Sequence, residues 1–124
     1  MIIGIGVDLI EIDRIKKACE KEAFLLRYYT EEELSSLEGN TIALVDNFAV
    51  KEAVSKVFGT GFSGFMPIDI EVLRDAKGKP YVQLYGGAQI LANKLKIKKI
   101  HVSISNTKTH TTAIAIGEGN SCNT

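Results

Sequence analysis

Residues 46–61, DNFAVKEAVSKVFGTG, restrict the possible folds more than any other stretch of this chain. Ala49, Ala53 and Val57 recur at i, i+4 and i+8 and make one apolar helical face. Val50, Val54 and Phe58 widen that face, so the spacing predicts a mostly buried helix over residues 42–58 with Thr41 as its cap. The other elements must then pack around it. Yet the segment also carries Lys51, Glu52 and Lys56. Glu52 and Lys56 stand one helical turn apart on the same side. A buried or half-buried carboxylate is costly unless it has a partner or a metal. The helix runs into Gly59-Thr60-Gly61, whose backbone turns freely and can present N–H groups to an anion. Two readings follow from this segment alone. One is an ordinary i, i+4 ion pair with a glycine stop. The other is a metal-ligating Glu52, a phosphate-facing Lys56 and a phosphate-contacting turn, which needs a second carboxylate from elsewhere.

The chain is one domain's length, assigned to residues 1–118, with residues 119–124 expected to form a flexible polar tail. Fifteen basic and fifteen acidic residues cancel, so no global field holds nucleic acid, and any bound anion must be met by a local cluster. No run of roughly 18 apolar residues offers a membrane span, and the start lacks the basic leader and small-residue cleavage site of a signal peptide. Cys19 and Cys122 match no metal spacing and read as free thiols in a reducing cytoplasm.

Residues 2–9 alternate as a strand. Ile3, Ile5, Val7 and Leu9 share one face; Gly4, Gly6 and Asp8 share the other, where two glycines leave room for another element to pack closely. A helix is expected over residues 11–28, with Arg14, Lys17 and Lys21 at i, i+3 and i+7 as a basic stripe, either solvated or docking an acidic partner. Thr30 and Glu33 fit a capping box that opens a short helix to about residue 37. Residues 68–73 and 80–84 read as a hairpin about the turn at 75–78, and residues 86–96 as a helix with Ile90, Leu91 and Leu95 inward. Residues 98–105 and 111–118 read as two further strands, His101, Ser103 and Ser105 lying on one face of the first. Antiparallel pairs dominate, so the class is α+β: a mainly antiparallel sheet packed around a long central helix.

Asp8 and Glu52 are the candidate pair, each on an otherwise apolar or glycine-rich surface. One or two carboxylates plus substrate phosphates are the usual protein site for Mg²⁺. Lys51 and Lys56 bring positive charge near, and the ligand that would use all these features is a di- or triphosphate. Gly78-Lys79-Pro80 and the His101/Ser103 face are further polar candidates. No P-loop, dinucleotide fingerprint, G-x-S-x-G elbow or H-E-x-x-H occurs, which argues against the common nucleotide folds, serine hydrolases and zinc proteases.

At these residues the sequence resembles the holo-acyl-carrier-protein synthases, the short class of 4′-phosphopantetheinyl transferases, over residues 3–118. Gly4-Ile5-Gly6-Val7-Asp8 with Arg14 is similar to the family's opening motif. Phe48-Ala49-Val50-Lys51-Glu52-Ala53 with Lys56, then Phe58-Gly59-Thr60-Gly61, is similar to its central signature. Asp69-Ile70-Glu71, Gly78-Lys79-Pro80 and His101-Val102-Ser103-Ile104-Ser105 resemble its later blocks. The resemblance implies Mg²⁺-dependent transfer of phosphopantetheine from coenzyme A to a serine of apo acyl carrier protein, in support of fatty acid biosynthesis. It implies catalysis by Asp8, Glu52 and Lys56, with the metal on Asp8 and Glu52. Coenzyme A contacts would come from Lys51, Lys56, Gly59, Thr60, Gly61, Gly78, Lys79, Pro80, Ser103 and Asn106. Carrier-protein docking would fall to Arg14, with Lys17 and Lys21 continuing the stripe. A cytoplasmic homotrimer with active sites at subunit interfaces is implied as well. Two positions depart: many members have an arginine at Asn47 and a histidine at Asn106, and Asn106 can hydrogen-bond a phosphate but carries no charge. The alternatives are a coenzyme A or nucleotide-binding protein without catalysis, which would not need both carboxylates, and a purely structural trimer, which would not need charges on the central helix.

Overall fold

A computed structural model describes residues 1–120. Strand β1 (Ile2–Glu11) opens the chain and leads into helices α1 (Ile12–Ala18), α2 (Glu22–Tyr28) and α3 (Glu31–Ser36). The long helix α4 (Thr41–Phe58) follows. A single 3-10 turn (Pro67–Asp69) then precedes the hairpin β2 (Ile70–Arg74) and β3 (Pro80–Leu84). Helix α5 (Gly86–Lys94) and the hairpin β4 (Lys99–Asn106) and β5 (His110–Glu118) complete the order. The strands form an antiparallel three-stranded sheet, β1-β5-β4, and a separate two-stranded sheet, β2-β3. This is the expected α+β arrangement around a central helix.

Helix α4 owes its length to an interior without glycine or proline and to defined ends. Its cap is Asn40, one residue before the expected Thr41, with the Asn40 side chain accepting from Ala43 N at 3.0 Å. Gly59 closes it in the left-handed region at φ 77°. All six residues of the expected apolar face are buried, and Asn47, Lys51 and Ser55 are buried too, so the helix is enclosed on nearly every side. The sheet contributes Ile10, Ala113 and Ala115 to this core, α1 adds Ile12 and Ile15, β2 adds Ile70 and Val72, and α5 adds Ala88 and Ala92. The capping box forms as read: Glu33 N donates to Thr30 Oγ1 at 3.1 Å and Thr30 N to Glu33 Oε1 at 3.0 Å.

Three expectations need correction. The single helix over residues 11–28 is two helices broken at residues 19–21. In one straight helix Ile15 and Phe24, nine residues apart, would point to opposite sides at about 100° per residue. The break lets both meet α4: Ile15 enters the core, while Phe24 stacks on Tyr28 at 4.5 Å and on Phe48 at 6.0 Å. On α5 it is Ala88 and Ala92 that are buried, with Leu91 and Leu95 beside them, and Ile90 is exposed. The small alanines let the helix sit close, which turns Ile90 outward. Third, Gly119, assigned to the tail, is buried and exchanges backbone hydrogen bonds with Met1. Residues 121–124, including Cys122, lie outside the described residues.

Candidate active site

Gly4 and Gly6 decide how close α4 comes to β1. A Cβ on Gly6 would overlap the carbonyl of Ala53, and one on Gly4 would strike that of Val57. With hydrogen there, helix backbone rests directly on strand backbone. Asp8 stands two residues further along the same strand face, and Glu52 is the helical residue just before Ala53. The Asp8 charge therefore reaches Glu52 across the β1–α4 contact.

The Asp8 carboxylate is largely buried. Its Oδ1 accepts from Lys56 Nζ at 3.2 Å, while its Oδ2 is buried with no hydrogen-bond partner. Lys56 also donates to Val7 O at 2.8 Å. Glu52 is held above the usual carboxylate range, first by burial and then by the Asp8 charge, with Lys56 and Arg14 acting in the opposite direction. Arg14 thus belongs electrostatically to this cluster. Among the described residues the ion pair of Lys56 is with Asp8 and not with Glu52, so the simple i, i+4 pair is not what forms. Two crowded carboxylates, one with an orphaned buried oxygen, make a donor set suited to a hard divalent cation. Among the described residues no group of three or more His, Cys, Asp or Glu could hold a metal, so phosphate oxygens and water would complete such a site.

Gly59-Thr60-Gly61 follows α4 directly beyond Lys56, with Gly61 also at positive φ, 62°. The Gly59 N–H is spent on Lys56 O. This is the negative end of the helix dipole, so Lys56 supplies the positive charge there.

A second part of the expected set gathers elsewhere. Gly78, Lys79, Pro80, Ser103 and Asn106 line one cleft of about 370 Å³ between the β2–β3 hairpin and β4. It holds two charged residues that the sequence reading missed, Asp46 and Arg74. Asn106 Nδ2 donates to both oxygens of Asp46, at 3.1 and 3.2 Å, and Thr111 Oγ1 donates to Oδ1 at 3.0 Å. Burial lowers the Arg74 pKa, and the charges of Asp46 and Glu33 oppose that shift. The one signal for Asp46 was an acid inside a helix otherwise apolar at that level; Arg74 resembled any charge at a strand end.

Lys51 is a correction. It is fully buried and faces away from Asp8, with Nζ donating to Glu33 Oε1 at 2.8 Å and to the carbonyls of Pro67 and Ile70. Asn47, one turn earlier, donates to Glu33 Oε2 and to Val72 O. Consecutive helical residues differ by about 100°, so Lys51 and Glu52 cannot serve the same ligand from one helix face. The basic stripe is altered too. Arg14 and Lys17 are exposed on α1, but Lys21 lies beyond the break as the N-cap of α2, so the three do not share one helical row.

The 4′-phosphopantetheinyl transferase superfamily model matches residues 4–115. The holo-acyl-carrier-protein synthase of Lachnoclostridium phytofermentans is 56% identical over 118 residues, covering 95% of this chain and 97% of the relative. Among solved structures, a Plasmodium yoelii acyl carrier protein synthase with ADP bound superposes with a TM-score of 0.89 at 36% identity, covering 98% of each chain. A Bacillus anthracis holo-acyl-carrier-protein synthase in complex with CoA (3′,5′-ADP) superposes with a TM-score of 0.81 at 34% identity, covering 97% of this chain and 99% of that one. With its carboxylate pair seated on a glycine-rich strand and its match running almost end to end, this chain belongs to the 4′-phosphopantetheinyl transferase superfamily.

Proposed function

We propose that this chain is a holo-acyl-carrier-protein synthase, which moves 4′-phosphopantetheine from coenzyme A to a serine of an apo acyl carrier protein and releases 3′,5′-ADP. The observation that carries this reading is the Asp8–Glu52 pair closed across β1 and α4 with Lys56 bonded to it. The serine oxygen forms a bond to the β-phosphorus as the bond from that phosphorus to the bridging oxygen breaks; the electron pair leaves with 3′,5′-ADP and the hydroxyl proton passes to solvent water. Lys56, free to move its exposed ammonium group from Asp8, stabilises the charge on that leaving phosphate. Asp8 and Glu52 are the residues that would hold Mg²⁺. When bound, that ion supplies neutralisation of the pyrophosphate oxygens and alignment of the two reacting groups. In the turn after α4 the Thr60 and Gly61 N–H groups, with that of Gly59 bonded to Lys56 O, are the backbone donors offered to the same phosphates. Arg14, exposed beside this cluster, meets the acidic surface of the carrier protein. Among the described residues no helix is long and apolar enough to cross a membrane, and a cytoplasmic setting fits the reaction.

A homotrimer would fit the same reading. Ile5, Val7, Leu9 and Ile114, 58%, 55%, 67% and 40% exposed, form an uncovered apolar face of the sheet. Asp8 stands on β1 and Asn106 on β4, the two opposite edge strands. A neighbouring copy that covers the apolar face and brings its own β4 cleft toward this β1 would surround one coenzyme A from both sides, and a closed ring satisfies every copy alike.

The test is the intact mass of an apo acyl carrier protein after incubation with this protein, coenzyme A and Mg²⁺. A gain of one phosphopantetheine, abolished by EDTA and by Asp8→Ala, is the expected result. Coenzyme A binding by calorimetry without any mass gain would instead establish the non-catalytic binding protein.

A further inference from the structure

We infer that Gly87, the second residue of α5, is a positioning residue for coenzyme A binding: it seats the loop that leaves α4 and so fixes where the Thr60 and Gly61 N–H groups stand. The inference deepens the proposed function and rests on it for the identity of the ligand. Gly87 acts through residues 59–66, a segment without helix or strand that leads from α4 to the 3-10 turn. That segment has glycine at 59, 61 and 64, each at positive φ, so its own sequence does little to hold one shape.

What holds the loop lies outside it. At its far end Pro67 is buried, and the carbonyls of Pro67 and Ile70 accept from the buried Lys51 Nζ. Asp69 joins that end to α5: its Oδ2 accepts from Met66 N at 3.2 Å, and its carbonyl accepts from the N–H of Tyr85, the cap residue of α5, at 2.8 Å. In the middle of the loop Phe65 is buried, its ring 5.3 Å from those of Phe58 and Phe62. Gly64 beside it rests directly on α5. A Cβ on Gly87 would overlap the Gly64 carbonyl and come within 3.0 Å of Phe65 Cβ. The obstruction is backbone, so no side-chain rotation relieves it. Ala88, next in the chain, is fully buried in the core, which leaves α5 no room to back away. Glycine is a poor helix former, and this close approach is the physical reason for one at residue 87. With any larger residue there the loop must lift, and Gly61 is only three residues from Gly64. Asp8, Glu52 and Lys56 stand on β1 and α4, outside the contact.

The test is the steady-state kinetics of carrier-protein modification by Gly87→Ala with coenzyme A varied. KM for coenzyme A should rise about fivefold or more while kcat changes less than about twofold, the pattern of a lost contact made equally in ground and transition states. A glycine without this role would behave in the opposite way: alanine would raise the melting temperature and leave KM unchanged. That result, or a fall in kcat alone, would overturn the inference. Hydrogen exchange of the wild type tests the same coupling without any variant. Coenzyme A should slow exchange at residues 60–66 and at residues 85–89 together, and protection confined to residues 59–61 would also overturn it. The carrier-protein mass assay on the wild type separates this from the reading beneath it. Joint protection by coenzyme A without transfer would refute the transferase and leave the loop seat standing. Normal transfer without joint protection would do the reverse.

Discussion

Lys56 Nζ lies 3.2 Å from Asp8 Oδ1, although the residues are 48 apart in the chain and sit on a helix and a strand. The lysine holds one oxygen of a carboxylate whose other oxygen has no partner. That contact ties the C-terminal half of α4 to the strand that carries Asp8. It also shows which charge Glu52 lacks, because the lysine one turn away is bonded elsewhere.

Glu52→Gln should therefore separate stability from activity. The Glu52 carboxyl is pushed above its ordinary value of 4.5, so the folded state binds its proton more tightly than the unfolded chain. Folding stability from this group is fully present below the unfolded value and falls as pH rises through the folded one. The glutamine variant should melt slightly higher than wild type at neutral pH, and the difference should shrink as the pH is lowered toward 4.5. Transfer should drop by at least about a hundredfold, because charge stabilisation at the reacting phosphate goes with the carboxylate. Calorimetric melts across pH and the mass assay read the two effects. Near-native turnover would sink the assignment of Glu52.

Lys56→Met should reach the same activity loss by another route. The ion pair is half exposed on the lysine side, so its removal should cost no more than about 1 kcal/mol in urea unfolding. Without the lysine, Glu52 loses one of the two charges that lower its pKa and should titrate higher still. The acid limb of the pH–rate profile for residual transfer should then move to higher pH. An unmoved limb would show that Glu52 does not govern it.

Lys51→Met is the contrasting case, one residue away. Lys51 and Glu33 are each fully buried, and burial lowers the lysine pKa even with Glu33 beside it. Removing the lysine alone leaves a buried carboxylate short of its partner and should cost about 3–5 kcal/mol in urea unfolding. Adding Glu33→Gln should restore much of that loss, since the amide still accepts from Thr30 N without a charge to neutralise. Additive losses in the double variant would mean the two residues act separately.

Gly6→Ala tests the seating of the helix. Its new Cβ would overlap the Ala53 carbonyl, a backbone group that cannot rotate away. Strand and helix must separate, at about 3 kcal/mol. The variant should lose transfer even at temperatures where circular dichroism shows it folded, because the Asp8–Glu52 contact depends on that approach.

The segments that were readable are those whose local chemistry agrees with their place in the fold. The apolar spacing of residues 49–58, the Thr30–Glu33 capping box and the 75–78 turn each specify their own geometry, and two glycines on one strand face announced a close neighbour. Asp8 and Glu52 stood out because acids on apolar surfaces need a reason. What could not be read depends on distance in space. Lys51 looks like a ligand-facing lysine until Glu33, 18 residues earlier, is seen to take it. Arg74 and Asp46 gain meaning only when the hairpin folds beside β4. The break at residues 19–21 was legible in principle, since Ile15 and Phe24 are half a turn out of phase.

The opposite fates of Lys51 and Glu52 bear on which lengths of this chain can vary. A single residue inserted between Asn47 and Lys51 would rotate the rest of α4 by about 100°. A different side chain would then point toward Glu33, and the lysine would be carried away from its buried acid. Every such frame error strands a charge in the interior and carries Glu52 away from Asp8 at once. Residues 37–40, ahead of the Asn40 cap, face no such penalty. Length differences among relatives should therefore collect in that loop, and the interval from the helix cap to Gly59 should keep a fixed count.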